Sequence, residues 1–265
     1  MEYASLYWDF VKIKLKSIVE YPGAFWAETF AKFMGFASQF IVTFLLVYRF
    51  ETLAGWTAYE ILLFVSINIT AYSLAGFFMF NPFAMLSMHI QQGTFDEMLT
   101  KPLNPFFYLC GKGFLYGYIG NLIASIGTMI IAIVNLDFNT TFYNMMMLIV
   151  FIIGGALIHC ALFMFFNIPA FWIIKSDALI TLKWSLDDFA RYPLNIYNKF
   201  IQFFLIIIVP ISFINFFPVA FLLGKDNIGF NPNLALLTPV IGIMLTVLGY
   251  KFFFFAIKHY SSTGS

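Results

Sequence analysis

Six long apolar runs dominate the sequence, at about 24–48, 60–85, 113–134, 145–173, 200–223 and 234–256. A helix crossing a hydrocarbon core of roughly 30 Å needs about 20 mostly apolar residues, and each run meets that length. Only 10% of the residues are charged, against roughly 25% in a soluble domain, so this surface cannot mostly face water. The expected fold class is an all-α polytopic membrane protein with six transmembrane helices filling residues 24–265 and no soluble catalytic domain. Net charge is +1, which gives no bulk attraction to nucleic acid. Cys110 and Cys160 lie in or beside apolar runs, without metal-ligand spacing and without the look of a disulfide framework.

The distribution of Lys and Arg predicts the orientation, because cytoplasmic loops carry the excess. With the N-terminus inside, Lys12, Lys14, Lys16, Lys101, Lys112, Lys175, Lys183, Arg191, Lys199, Lys251 and Lys258 fall on the cytoplasmic side. Arg49 and Lys225 remain outside, and both termini are expected to be cytoplasmic. Residues 1–23 read as an amphipathic interfacial helix. Asp9, Lys12, Lys16 and Glu20 form one polar stripe, while Leu6, Trp8, Phe10, Val11, Leu15 and Ile18 belong to the apolar remainder. Tyr21-Pro22-Gly23 supplies a turn into the first span. A membrane anchor and a contact surface for a partner are both compatible with that helix. No short apolar core of a cleavable signal peptide is present in the first twenty residues.

Ionisable groups inside spans are functional candidates by default. Glu28 and Lys32 stand one turn apart on the first span, as a possible intramembrane pair close to an interface. His159 sits midway along the fourth span without a carboxylate within a turn, which fits a hydrogen-bonded core histidine better than a proton relay or metal ligand. Asn68, Asn81 and Asn121 can hydrogen-bond between helices, and Gly113, Gly117, Gly120 and Ala124 carry small-xxx-small spacing. Asn167-Ile-Pro169 is expected to break the fourth span.

Enzyme signatures are missing: no H-E-x-x-H, no G-x-S-x-G, and no G-x-x-x-x-G-K-[ST] phosphate loop. The chain is therefore expected to be no enzyme and to bind no cofactor itself. A secondary transporter would need deep carboxylates, and a membrane enzyme a clustered polar site; neither is visible in the sequence. A non-transport membrane scaffold stays open.

The loop at about 87–112 is more informative. Asp96 and Glu97 begin a short helical stretch whose apolar face carries Phe95, Met98 and Leu99, and Pro102 and Pro105 stop it. Such a unit between two spans is suited to receive a push from a soluble partner, or it is simple loop structure.

The run Gly93-Thr-Phe95-Asp96-Glu-Met-Leu99-Thr-Lys101-Pro102-Leu103-Asn-Pro105 resembles the G-x-F-D-x-x-L-x-[RK]-P-L-x-P stretch of ABC-2-type transporter permeases, in their six-span branch. Tyr192-Pro193-Leu-Asn-Ile-Tyr197 with Ile208-Val-Pro210-Ile-Ser-Phe-Ile-Asn-Phe-Phe-Pro218, and the tail Tyr260-Ser-Ser-Thr-Gly264, are similar to two further motifs of that branch. The resemblance implies a permease subunit of an ATP-driven exporter in a cell membrane, that of a bacterium. A second permease subunit, the same or different, would complete the pathway, and a separate cytoplasmic ABC ATPase dimer would carry ATP and Mg. It further implies that Gly93, Phe95, Asp96, Leu99, Lys101, Pro102, Leu103 and Pro105 form the ATPase-coupling contact, joined by the N-terminal helix. Short re-entrant helices near the outer face are implied between spans five and six, around Pro210 and Pro218.

Overall fold

The computed structural model of the protein describes residues 9–13, 16, 22–50, 52–173 and 177–261. Asp9–Ile13 is helical; the rest of the expected interfacial helix and the end of the tail motif lie outside the described residues. Helix α1 (Pro22–Phe50) leads to a two-stranded hairpin of β1 (Thr52–Leu53) and β2 (Trp56–Thr57). Ala54 and Gly55 turn it with φ of 52° and 83°, the positive pair that a two-residue hairpin turn demands.

Helix α2 (Ala58–Ala75) starts where the Glu60 carboxylate accepts from the Thr57 amide at 2.7 Å. It passes through a widened π-type turn, Gly76–Phe80, into α3 (Asn81–Ala84) and α4 (Leu86–Gln91). Pro82 lacks the amide proton the ladder needs, and the widened turn directly before it absorbs the interruption. Gly93, at φ 69°, reverses the chain into α5 (Thr94–Leu99). Asn104 then caps α6 (Pro105–Lys112), accepting from the Phe106 amide at 3.0 Å. Helices α7 (Ile119–Asn135) and α8 (Phe142–Asn167) follow. Pro169 closes α8 in a tightened turn, Ile168–Phe171, at the break expected from sequence. Next come α9 (Asp177–Phe189), α10 (Lys199–Phe203), α11 (Phe216–Leu222) and α12 (Thr238–Lys258).

Among the described residues, four helical runs are long and apolar enough to cross a membrane: Ala58–Gln91, Tyr116–Asn135, Phe142–Phe171 and Pro232–Lys258. They correspond to the second, third, fourth and sixth apolar runs, and make this a multi-pass membrane protein. Exposed apolar side chains such as Ile123, Ile130, Val134, Ile149, Val240 and Ile243 stud α7, α8 and α12, as on a lipid-facing surface.

The fifth run is not a straight span. Lys199–Ile208 and Ile211–Leu222 meet at a 75° bend, where Pro210 cannot donate back into the helix. Around it, α8 and α12 pack at backbone distance: a Cβ on Gly242 would lie 2.5 Å from the Gly154 carbonyl oxygen.

Two clusters mark opposite ends of the bundle. At the hairpin end, Trp56 donates through Nε1 to the Asn195 side-chain oxygen at 3.2 Å, and the Asn195 amide donates to the Ala54 carbonyl at 2.9 Å. Lys225 pairs there with Glu60 at 2.7 Å and donates to the Gly55 carbonyl at 2.7 Å. At the far end, Phe95, Phe171, Phe253 and Tyr260 meet. The segment 177–197 runs between these ends, so the sequence-based grouping of Lys183, Arg191 and Lys199 with the coupling loop is corrected. Lys183 is buried in the bundle, and the chain has reached the hairpin end by Asn195. Counting charges along the sequence misplaced this segment because α9 is only 13 residues long and mixes polar with apolar side chains.

Candidate functional site: the helix between the second and third membrane runs

Helix α5 presents two different faces. Phe95 is 0% and Met98 2% exposed, whereas Glu97, Leu99, Lys101 and Pro102 lie at the surface. Phe95 therefore points into its own chain. Its ring centroid stands 5.0 Å from Phe171 at the end of α8, 6.4 Å from Phe253 on α12 and 5.5 Å from Tyr260 just beyond α12. Such edge-on aromatic pairs add roughly 0.5–1.5 kcal/mol each beyond the area they bury. The start of α5 is fixed from behind, where His89 Nδ1 meets the Thr94 hydroxyl at 2.9 Å. Asp96 is half-buried beside Tyr260; burial first, and then this carboxylate, push the Tyr260 phenol up to about 12. Lys101 pairs loosely with Glu97 at 3.6 Å on the exposed side. Leu103 and Pro105 are half-buried, and Asn104 ties the segment to α12 by donating to the Tyr250 hydroxyl at 3.2 Å.

A second polar assembly lies inside the bundle. Lys183 and Asp187 pair one turn apart on α9, their side chains 3% and 18% exposed. The Lys183 ammonium also stands 4.7 Å from the Tyr72 ring centroid and 4.2 Å from that of Phe163. His159 Nε2 donates to the Asn68 oxygen at 3.2 Å, and Arg191 pairs with Asp188 at 2.6 Å.

The sequence profile of the ABC-2 family transporter proteins matches residues 33–264. The chain belongs to this ABC-2 transporter family. Comparison with curated proteins and with solved structures returned no match.

For an ABC-2 transporter permease, the remaining sequence candidates sort as follows. Lys32 stands 4.4 Å above the Tyr118 ring, while the Glu28 side chain lies outside the described ones, and its pairing with it. Gly120 is a true close approach, since a Cβ there would meet Thr29 Cγ2 at 2.7 Å. Cys110 and Cys160 are free and buried. The expectation of no clustered polar site is overturned by Asp187 with Lys183, His159 and Asn68 inside the bundle. A signal was present: Lys183 and Asp187 are spaced four apart, as a helical ion pair requires. Reading that stretch as a cytoplasmic loop hid it.

Proposed function

We propose that this ABC-2 transporter protein is the membrane-spanning permease subunit of an ATP-driven exporter. A second permease subunit, the same or different, completes the pathway, and a separate ABC ATPase dimer carries ATP and Mg. The observation that carries this reading is the two-faced α5. Its inner face is locked by Phe95 to the ends of α8 and α12, and its outer face offers Leu99, continued by Lys101 and Pro102 just beyond the helix. A push on that outer face would move two long helices as one body, the kind of rigid shift by which packed interfaces switch between discrete arrangements. Phe95 thus acts from inside as the link, and the exposed residues make the contact.

In the same reading the chain crosses a cell membrane six times with both ends in the cytoplasm. α1 makes the first crossing and the 177–197 segment the fifth, while the bent pair 199–222 re-enters from the outer face. The contact of Asn195 with Trp56 supports this path, as does the ion pair of Lys225 with Glu60. The amphipathic 1–23 segment adds a second contact with the ATPase. The test is reconstitution of the chain with its co-purifying ATPase into vesicles. ATP should drive uptake of an amphiphilic dye into inside-out vesicles, and no ATP hydrolysis should come from the chain alone. Uptake driven by an ion gradient without ATP would overturn the reading.

A further inference from the structure

A cavity of about 210 Å³ opens among α2, α8 and α9, lined by Asn68, Tyr72, His159, Trp184 and Asp187, with Asp188 and Arg191 beside them. Its charges are already arranged. Lys183 is taken by Asp187 Oδ2, and Arg191 by Asp188 Oδ1 at 2.6 Å, so neither cation is left over to attract an anion. Two buried acceptors of its lining residues remain without a donor. The Asn68 oxygen can only accept, so His159 Nε2–H donates to it, and in the neutral ring Nδ1 is then an acceptor. Among the described residues, that Nδ1 and Asp187 Oδ1 are buried without a hydrogen-bond partner. Both belong to residues that line the same cavity, both accept, and one belongs to a carboxylate. Trp184 also lines the cavity, half exposed at 50%, an aromatic face of the type that holds a cation.

We propose that this cavity binds the primary ammonium head of an amphipathic molecule. The ammonium donates to Asp187 Oδ1 and His159 Nδ1 and rests against Trp184, with the tail leaving along the exposed apolar surface near Leu182. Buried acceptors without donors are costly, and an ammonium supplies up to three N–H groups where a quaternary amine supplies none. Treating the bound amphiphile as cargo rests on the permease reading, whereas its binding does not.

The experiment uses the full chain in phosphatidylcholine nanodiscs and an octylamine carrying a diazirine beside the head group, with cross-links mapped by mass spectrometry. Labelling is expected to saturate at residues of α9 and α2 around the cavity and to be displaced by octylammonium. Octyltrimethylammonium, a cation without N–H donors, should displace it at least about tenfold less well, the worth of one charge-assisted hydrogen bond. Octanoate should not compete. Adding phosphatidylethanolamine to the discs distinguishes the source of the amine: displacement supports a lipid head, and its absence beside displacement by octylammonium supports a single-chain amine. The double variant Lys183→Met with Asp187→Leu leaves no lone buried charge, and folded protein of this kind should lose the saturable label. His159→Phe should weaken it by about tenfold or more on the same grounds. Equal competition by octyltrimethylammonium, or wild-type labelling of the folded double variant, overturns the proposal, as does label that never saturates because water alone fills the cavity. Saturable, amine-selective labelling in a protein that shows no ATP-driven uptake would keep this site and sink the permease reading instead.

Discussion

The ring of Phe95 meets that of Tyr260 perpendicular and 5.5 Å away. This one contact joins the helix between the second and third membrane runs to the end of the last helix of the chain. Phe171 closes the same cluster from α8 at 5.0 Å, so α5 cannot shift without carrying both neighbours or losing the packing.

Cutting that link should separate binding from coupling. Phe95→Ala removes a fully buried ring, a change that costs about 3–5 kcal/mol in a packed core. Because the cluster lies at one end of the bundle, the membrane-inserted fold should persist while α5 loosens. The expected result is ATPase still co-purifying but fewer molecules transported per ATP, with Phe95→Leu intermediate. Leu99→Ala, at the surface, should instead reduce the ATPase recovered with little change in stability. Changes at Asn139–Thr141, in the connection between α7 and α8, should do neither.

The Lys183–Asp187 pair makes an asymmetric prediction. Asp187→Ala strands a buried ammonium and should lower stability by about 3–5 kcal/mol. Lys183→Met with Asp187→Leu removes both charges and should fall within about 1 kcal/mol of wild type or above it, as buried ion pairs replaced by apolar groups often do. Thermal unfolding in one detergent, followed by aggregation onset, separates the two. Equal losses in the two variants would mean that the pair is not buried.

Helix packing at Gly242 is tested by the smallest possible side chain. A methyl there would lie 2.5 Å from a backbone oxygen on α8, which cannot rotate away, so Gly242→Ala should cost about 1–3 kcal/mol. Gly127→Ala, where a Cβ meets nothing within 4 Å, should be harmless or mildly stabilising through helix propensity.

The path of the chain after α8 can be read by labelling. In a cysteine-free background, single cysteines at Asn139, Asn198 and Asp226 should all react with an impermeant thiol reagent added to intact cells, and one at Lys101 should not. Asn198 is the discriminating position, because a route that keeps residues 174–199 in the cytoplasm predicts protection there.

Much of the fold was legible because lipid imposes length and apolarity. The runs containing Ile67, Ala124, Phe151 and Leu245 are long, continuous and almost uncharged. The burial of α9 inside the bundle was not legible. Its polar residues satisfy one another, Lys183 with Asp187 and Arg191 with Asp188, and hydropathy counts them as four costly charges when together they are two internal pairs. The bend at Pro210 shows the converse, since the flanking residues are apolar enough to imitate a span while proline and its neighbours prevent a straight one. At the coupling segment, the spacing of Phe95, Met98 and Leu99 revealed an apolar face. It could not reveal that Phe95 and Met98 turn inward and Leu99 outward, which depends on where α8 and α12 end.

A cross-link from the exposed face of α5 tests whether an ATPase pushes on this permease there. With Leu99 replaced by a photo-crosslinking residue in growing cells, irradiation should join the chain to a protein carrying the ABC ATPase phosphate loop, while the same residue at Asn139 should capture none. Capture of that ATPase from position 99 alone is expected if α5 receives the push. An efficient cross-link at 99 to lipid or to a second permease, with no ATPase recovered, would contradict it.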